Sequence, residues 1–147
     1  MTKLRAFWES FFVLILIVIL HFLSLYFNWY WTYKWFDIPM HILGGLWVAL
    51  TALWIFCYYG RVNSIINYKS KTFLTVFITI LVIGISWEIF ELLGKITFLN
   101  DPGYWADTTK DMINDFIGGI VAYFYFIKRK KCTNELVCDP KKGERCN

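Results

Sequence analysis

The sequence predicts an all-α protein that crosses a membrane four times with both termini in the cytoplasm. Three observations carry that prediction. Hydrophobic residues make up 58% of the 147 and charged residues only 18%. A soluble domain carries about a quarter charged residues, and a chain this short has no interior large enough to hide so much apolar surface. The apolar residues fall into four runs on the scale of a hydrocarbon core of about 30 Å. Lysine and arginine collect on alternate connections between those runs. The same composition excludes disorder. No phosphate-cradling glycine loop and no nucleophile elbow occurs, and no nucleic-acid partner is expected.

The first span is residues 11–27, FFVLILIVILHFLSLYF. Lys3 and Arg5 precede it, but no small-residue cleavage site follows, so it reads as a retained anchor. Trp29, Tyr30, Trp31, Tyr33 and Trp35 then form an interfacial aromatic belt. The second span is 38–59, with Pro39 in its first turn and Asp37 as a candidate N-cap. The third is 73–93. Asn100-Asp101-Pro102-Gly103 is a turn signal, and Tyr104 and Trp105 suit the interface again. The fourth ends at Ile127. From Met112 it would be only about 24 Å long, too short to cross, so it should begin near Asp107 and carry its acidic first turns into the membrane. The domain is thus 1–131 with spans near 11–27, 38–59, 73–93 and 107–127.

Residues 132–147 read as a flexible cytoplasmic tail. Cys132, Cys138 and Cys146 lie there without the histidine or the close cysteine pairs of a zinc site. They read as free thiols, with palmitoylation of Cys132 as the alternative.

Orientation follows from the cations. With the N-terminus inside, the inner side holds Lys3, Arg5, Arg61, Lys69, Lys71 and the run Lys128 to Lys131, against Lys34, Lys95 and Lys110 outside. The acids do the opposite. Asp37, Glu88, Glu91, Asp101, Asp107, Asp111 and Asp115 all fall at the outer end, and their spacing is helical. Asp37 and His41 are four apart, Glu88 and Glu91 three, and Asp107, Asp111 and Asp115 four, so each of three spans shows one polar stripe. No Lys or Arg lies inside the spans apart from Lys110 near the start of the fourth, so carboxylates there have as built-in counter-charge protonated His41 or a snorkelling Lys110.

Ionisable groups inside a membrane face an interior or a wet cavity. Crowded carboxylates with one imidazole either take up protons or bind Mg²⁺, Mn²⁺, Fe²⁺ or Zn²⁺. The candidate metal ligands are Asp37, His41, Glu88, Glu91, Asp107, Asp111 and Asp115. Glu88 and Asp111 are the candidate catalytic residues, with Glu88 as general base. Asp37 and Asp107 read equally well as helix caps. Glu91 sits nearer the headgroups. His21, mid-span, reads as either a packing partner or a distal site member. Asn114 offers an amide ligand or a hydrogen bond. Gly45-x-x-x-Ala49 and Gly118-x-x-x-Ala122 permit close helix contact and would bring two stripes together.

The order Asp37-x-x-x-His41, Trp87-Glu88-x-x-Glu91, then Asp107-Thr108-x-x-Asp111-Met112-x-x-Asp115-x-x-Gly118 resembles the bacterial inner-membrane family typified by YjdF and, more distantly, the VanZ-like proteins. The matching positions are Asp37, His41, Glu88, Glu91, Asp107, Asp111 and Gly118, within residues 35–125. YjdF-type proteins carry extra membrane helices, so the resemblance implies a reduced version here. It implies no established reaction.

The expected function is that of a multi-pass cell-membrane protein with an outward His/carboxylate pocket for a divalent ion or protons. As an enzyme it would be a metal-dependent hydrolase or transferase on a lipid-linked or envelope precursor. The alternatives are a proton- or cation-coupled transport or binding module, for which a homo-oligomer would help, and an accessory subunit without catalysis.

Overall fold

The computed structural model describes residues 3–59, 68–94 and 102–128. Over these the chain is helical, with no strand among the described residues. In order come α1 (Lys3–Tyr26), α2 (Trp29–Thr32), a 3-10 turn (Lys34–Phe36), α3 (Asp37–Tyr59), α4 (Tyr68–Leu93) and α5 (Tyr104–Lys128). The Arg61 loop, the Asn100-Asp101 turn, Arg129 to Lys131 and the cysteine tail lie outside the described residues.

Three helices are long and apolar enough to cross a membrane, over Phe7–Tyr26, Asp37–Phe56 and Lys69–Leu93. The expected fourth span, α5, is not among them. It is 25 residues long, but Asp107, Lys110, Asp111 and Asp115 charge its first half. Helices start earlier than the hydropathy runs suggest, at Lys3, Tyr68 and Tyr104 instead of 11, 73 and 107. Hydropathy marks the apolar section, whereas backbone hydrogen bonding continues through polar flanks.

Helix α1 lies on α3. Ser10 Oγ is 2.6 Å from Thr51 Oγ1, and the Phe7 ring sits 5.5 Å from that of Trp54. Its other face is bare, with Phe12 and Phe22 about two-thirds exposed. Such a face, on a helix long and apolar enough to cross a membrane, suits lipid. The helix ends at Tyr26, and two residues on, Asn28 turns the chain with a left-handed φ of 56°, a conformation asparagine tolerates. The aromatic belt then folds into α2 and the 3-10 turn, burying Phe36 against Trp29 and Tyr30.

The 3-10 turn runs straight into α3. Asp37 therefore has helical φ −61° and ψ −39°, not the extended backbone of an N-cap. The cap expectation for Asp37 is thus corrected, and its carboxylate serves another purpose described below.

Helices α3 and α5 run in the same direction and meet backbone to backbone. A Cβ on Gly45 would overlap the Asp115 carbonyl, and one on Gly118 would overlap the Ile42 carbonyl. The small-residue motifs on both helices therefore do what their spacing predicts. Below the glycines, Ala49, Leu50, Leu53, Val76, Ile80, Ala122 and Phe126 form one apolar cluster among α3, α4 and α5. Above them lies the polar end.

Candidate functional site

Helix α3 contributes Asp37 and His41, one turn apart, and α5 contributes Asp111 and Asp115 at the same spacing. The glycine seam brings the two stripes face to face. His41 Nε2 lies 3.5 Å from Asp37 Oδ1 and 3.8 Å from Asp111 Oδ2, while Nδ1 lies 3.4 Å from Asp115 Oδ1. Both ring nitrogens of the imidazole are thus approached by carboxylates. Asp115 occupies a niche made by missing side chains: a Cβ on Gly44 would be 3.9 Å from its Oδ1, and one on Gly84 3.5 Å from its Oδ2. A carboxylate on one ring nitrogen orients the other toward a ligand. Asp115 acts on His41 in that way, and Nε2 points to Asp37 and Asp111.

Lys110 supplies a fixed positive charge at the rim. It is ion-paired to Asp107 and lies 3.6 Å from Asp37 Oδ2 and 3.5 Å from Asp111 Oδ1. Both exceptions foreseen from the sequence, His41 and Lys110, are therefore in place. Each of Asp37 and Asp111 turns one oxygen to the imidazole and the other to the lysine.

Asp37, His41 and Asp111 each offer a ligand atom within 4.8 Å of the others. Donors around a tetrahedral zinc at about 2.1 Å stand about 3.4 Å apart, so the group must draw in to hold an ion. The donor set, two carboxylates and an imidazole, suits a borderline or hard divalent ion. Asp111 Oδ1 is buried and meets the Lys110 ammonium at 3.5 Å without a hydrogen bond, so an ion there would compete with that lysine. The buried Asn114 Nδ2 has no hydrogen-bond partner among the described residues, but as an N–H donor it cannot ligate a cation.

The remaining expected ligands form a second group. Glu88 on α4 is buried and accepts a hydrogen bond from Thr108 Oγ1 at 2.7 Å. Glu91 accepts one from Trp87 Nε1 at 2.9 Å. Neither belongs to the three-residue group. They line a cavity of about 230 Å³ together with Tyr104, Asp107, Thr108 and Asp111. Asp111 is shared by the cavity and the His41 cluster. Asp107 stands at the rim, more than half exposed and held by Lys110. His21 is apart from both groups, with Nδ1 3.1 Å from the Tyr30 hydroxyl.

Two lining residues were not expected there. Tyr104 reads as an interfacial aromatic yet is only 7% exposed, whereas Trp105 does face outward at 71%. Thr108 fixes Glu88. Both lie on the helical stripe that runs back from Asp111 by three and then four residues, which was the available signal.

A family model described as "Predicted membrane protein (DUF2238)" matches residues 1–131. No curated protein and no solved structure matches the chain.

Proposed function

The chain belongs to the DUF2238 family of membrane proteins and is a multi-pass membrane protein, and from that premise we propose that it binds a divalent cation through Asp37, His41 and Asp111. In this reading α5 is the fourth crossing, and the lysine and arginine bias turns the acidic end outward. One observation carries the proposal: Asp111 is at once a member of the three-ligand group and a wall of the adjoining cavity. The candidate ion site and the adjoining cavity then share a residue, as metal-assisted hydrolysis or group transfer requires.

A divalent ion there would supply a Lewis acid and an acidified water. The chain's own residues supply the rest. Asp115 holds the His41 ring, Thr108 holds Glu88, and Glu88 is the residue in the cavity wall suited to accept a proton. The substrate would be a lipid-linked or envelope precursor. The likeness to YjdF-type and VanZ-like proteins rests on the acid spacing alone and adds no reaction.

Metal analysis of the detergent-purified chain tests this. A stoichiometric divalent ion is expected, lost in Asp111→Asn and in His41→Ala. Metal-free protein whose thermal unfolding ignores added Mg²⁺, Mn²⁺, Fe²⁺ and Zn²⁺ would overturn it. A second reading has its own support in Lys110, which already bridges Asp37 and Asp111. In that reading the cluster is an ion-pair network serving a proton- or cation-coupled module, and metal-free protein with proton-dependent flux in liposomes is the expected result.

A further inference from the structure

We propose that Lys110 is a tethered cation that gates the Asp37, His41 and Asp111 group: its ammonium bridges the two carboxylates until a divalent ion displaces it toward Asp107. As a regulation of the candidate ion site this rests on the metal reading.

Geometry decides which neighbour yields. Asp37 and Asp111 each turn one oxygen to His41 Nε2 and the other to the Lys110 ammonium. An ion held by both carboxylates and the imidazole at about 2.1 Å would stand close to that ammonium, and like charges so near each other repel. His41 is not the group that moves. Its Nδ1 lies 3.4 Å from Asp115, its side chain is only 12% exposed, and it sits beside the main-chain seam at Gly45. Lys110 is freer on each count, with a side chain 37% exposed and a flexible four-carbon stem.

The three contacts of the ammonium are unequal. Asp107 accepts a hydrogen bond from it. Asp37 Oδ2 at 3.6 Å and Asp111 Oδ1 at 3.5 Å are ion pairs beyond ordinary hydrogen-bond length. The firm anchor is therefore outside the three-ligand group, on a residue more than half exposed. Withdrawal loses two long ion pairs and keeps the hydrogen bond, so the amine moves outward without being stranded in lipid. The exchange also selects by charge. A singly charged ion brings the carboxylates no more charge than the ammonium it replaces, whereas a divalent ion brings twice as much. Potassium is therefore a poor displacer.

The test is acylation of the detergent-purified full chain by an amine-reactive ester, followed lysine by lysine with peptide mass spectrometry while Mg²⁺, Mn²⁺ and Zn²⁺ are added in turn. Lys69 and Lys71, exposed at the start of α4, serve as references. A bound ion should speed modification of Lys110 about fivefold or more relative to those two, along the same concentration curve as ion uptake. Potassium chloride at equal ionic strength should leave the ratio unchanged. Metal content is read on the same samples, for the wild-type chain and for Lys110→Met. Ion bound with the Lys110 rate unchanged, or with an equal rise in potassium chloride, overturns this proposal and leaves the metal reading standing. A wild-type chain that takes up no ion while Lys110→Met does also overturns the exchange, since the lysine then holds its place. No ion bound by either chain overturns the metal reading and the gate with it.

Discussion

The seam between α3 and α5 is built in two ways along its length. Beyond the glycines toward Tyr59 and Lys128 it is Ala49, Leu53, Ala122 and Phe126, apolar and almost fully buried. Toward Asp37 and Tyr104 it is Asp37, His41, Asp111 and Asp115, charged and less enclosed, with the Asp37 side chain 32% exposed. The same glycine contact serves both ends. In lipid, apolar side chains gain little by leaving the solvent, so the apolar end is held by close contact. The polar end is held by pairing of groups that lipid would penalise. One end therefore fixes the helices, and the other holds the candidate ligands at the distances that contact sets.

The largest way to break this division is at the glycines. Gly118→Leu drives a side chain into the α3 backbone and should destabilise the chain by about 3 kcal/mol or more. Thermal unfolding in detergent would show it, and an unchanged midpoint would mean that the seam is not close. Next, Leu53→Ala, at 1% exposure, should cost about 2 kcal/mol while leaving metal content untouched. Asp111→Asn should do the converse, losing the ion at a smaller cost in stability. If both variants lose metal equally, the two ends are not separable. The smallest effect belongs to Lys110→Met. Lys110 is 37% exposed, so its pairs should contribute under about 1 kcal/mol. Removing this competing cation should tighten divalent-ion binding by about threefold, read by titration. Weaker binding would make Lys110 a supporting member of the site.

Much of this was legible in the residues. Hydropathy runs gave the first three long helices, and the paired small-residue motifs gave the α3–α5 contact. Helical spacing of the acids gave the His41 cluster. What it could not give was the division of seven expected ligands into two groups. Spacing along one helix says which side chains share a face, not which neighbour that face meets. Glu88 and Glu91 lie on α4, which touches α5 through Gly119 against Ile80 and Val76, and so reach Thr108 and the cavity instead of His41. Asp37 misled for a local reason. Aspartate before a proline-containing first turn suits a cap, but the 3-10 turn ahead of it had already wound the backbone. Tyr104 misled because an aromatic near a membrane surface fits the interface and the interior equally well by composition.

Helices α3 and α5 touch through main chain, which cannot yield as side chains do. They behave as a single stiff plank, and Asp37, His41, Asp111 and Asp115 ride on it at fixed separations. Helix α4 meets that plank through side chains, Met112 against Gly84 and Ile80 against Gly119. Helix α4 is therefore the neighbour whose side-chain contacts can adjust, and it carries Glu88 and Glu91 on the cavity wall; a crosslink tying α4 to the plank would remove that adjustment without touching the histidine.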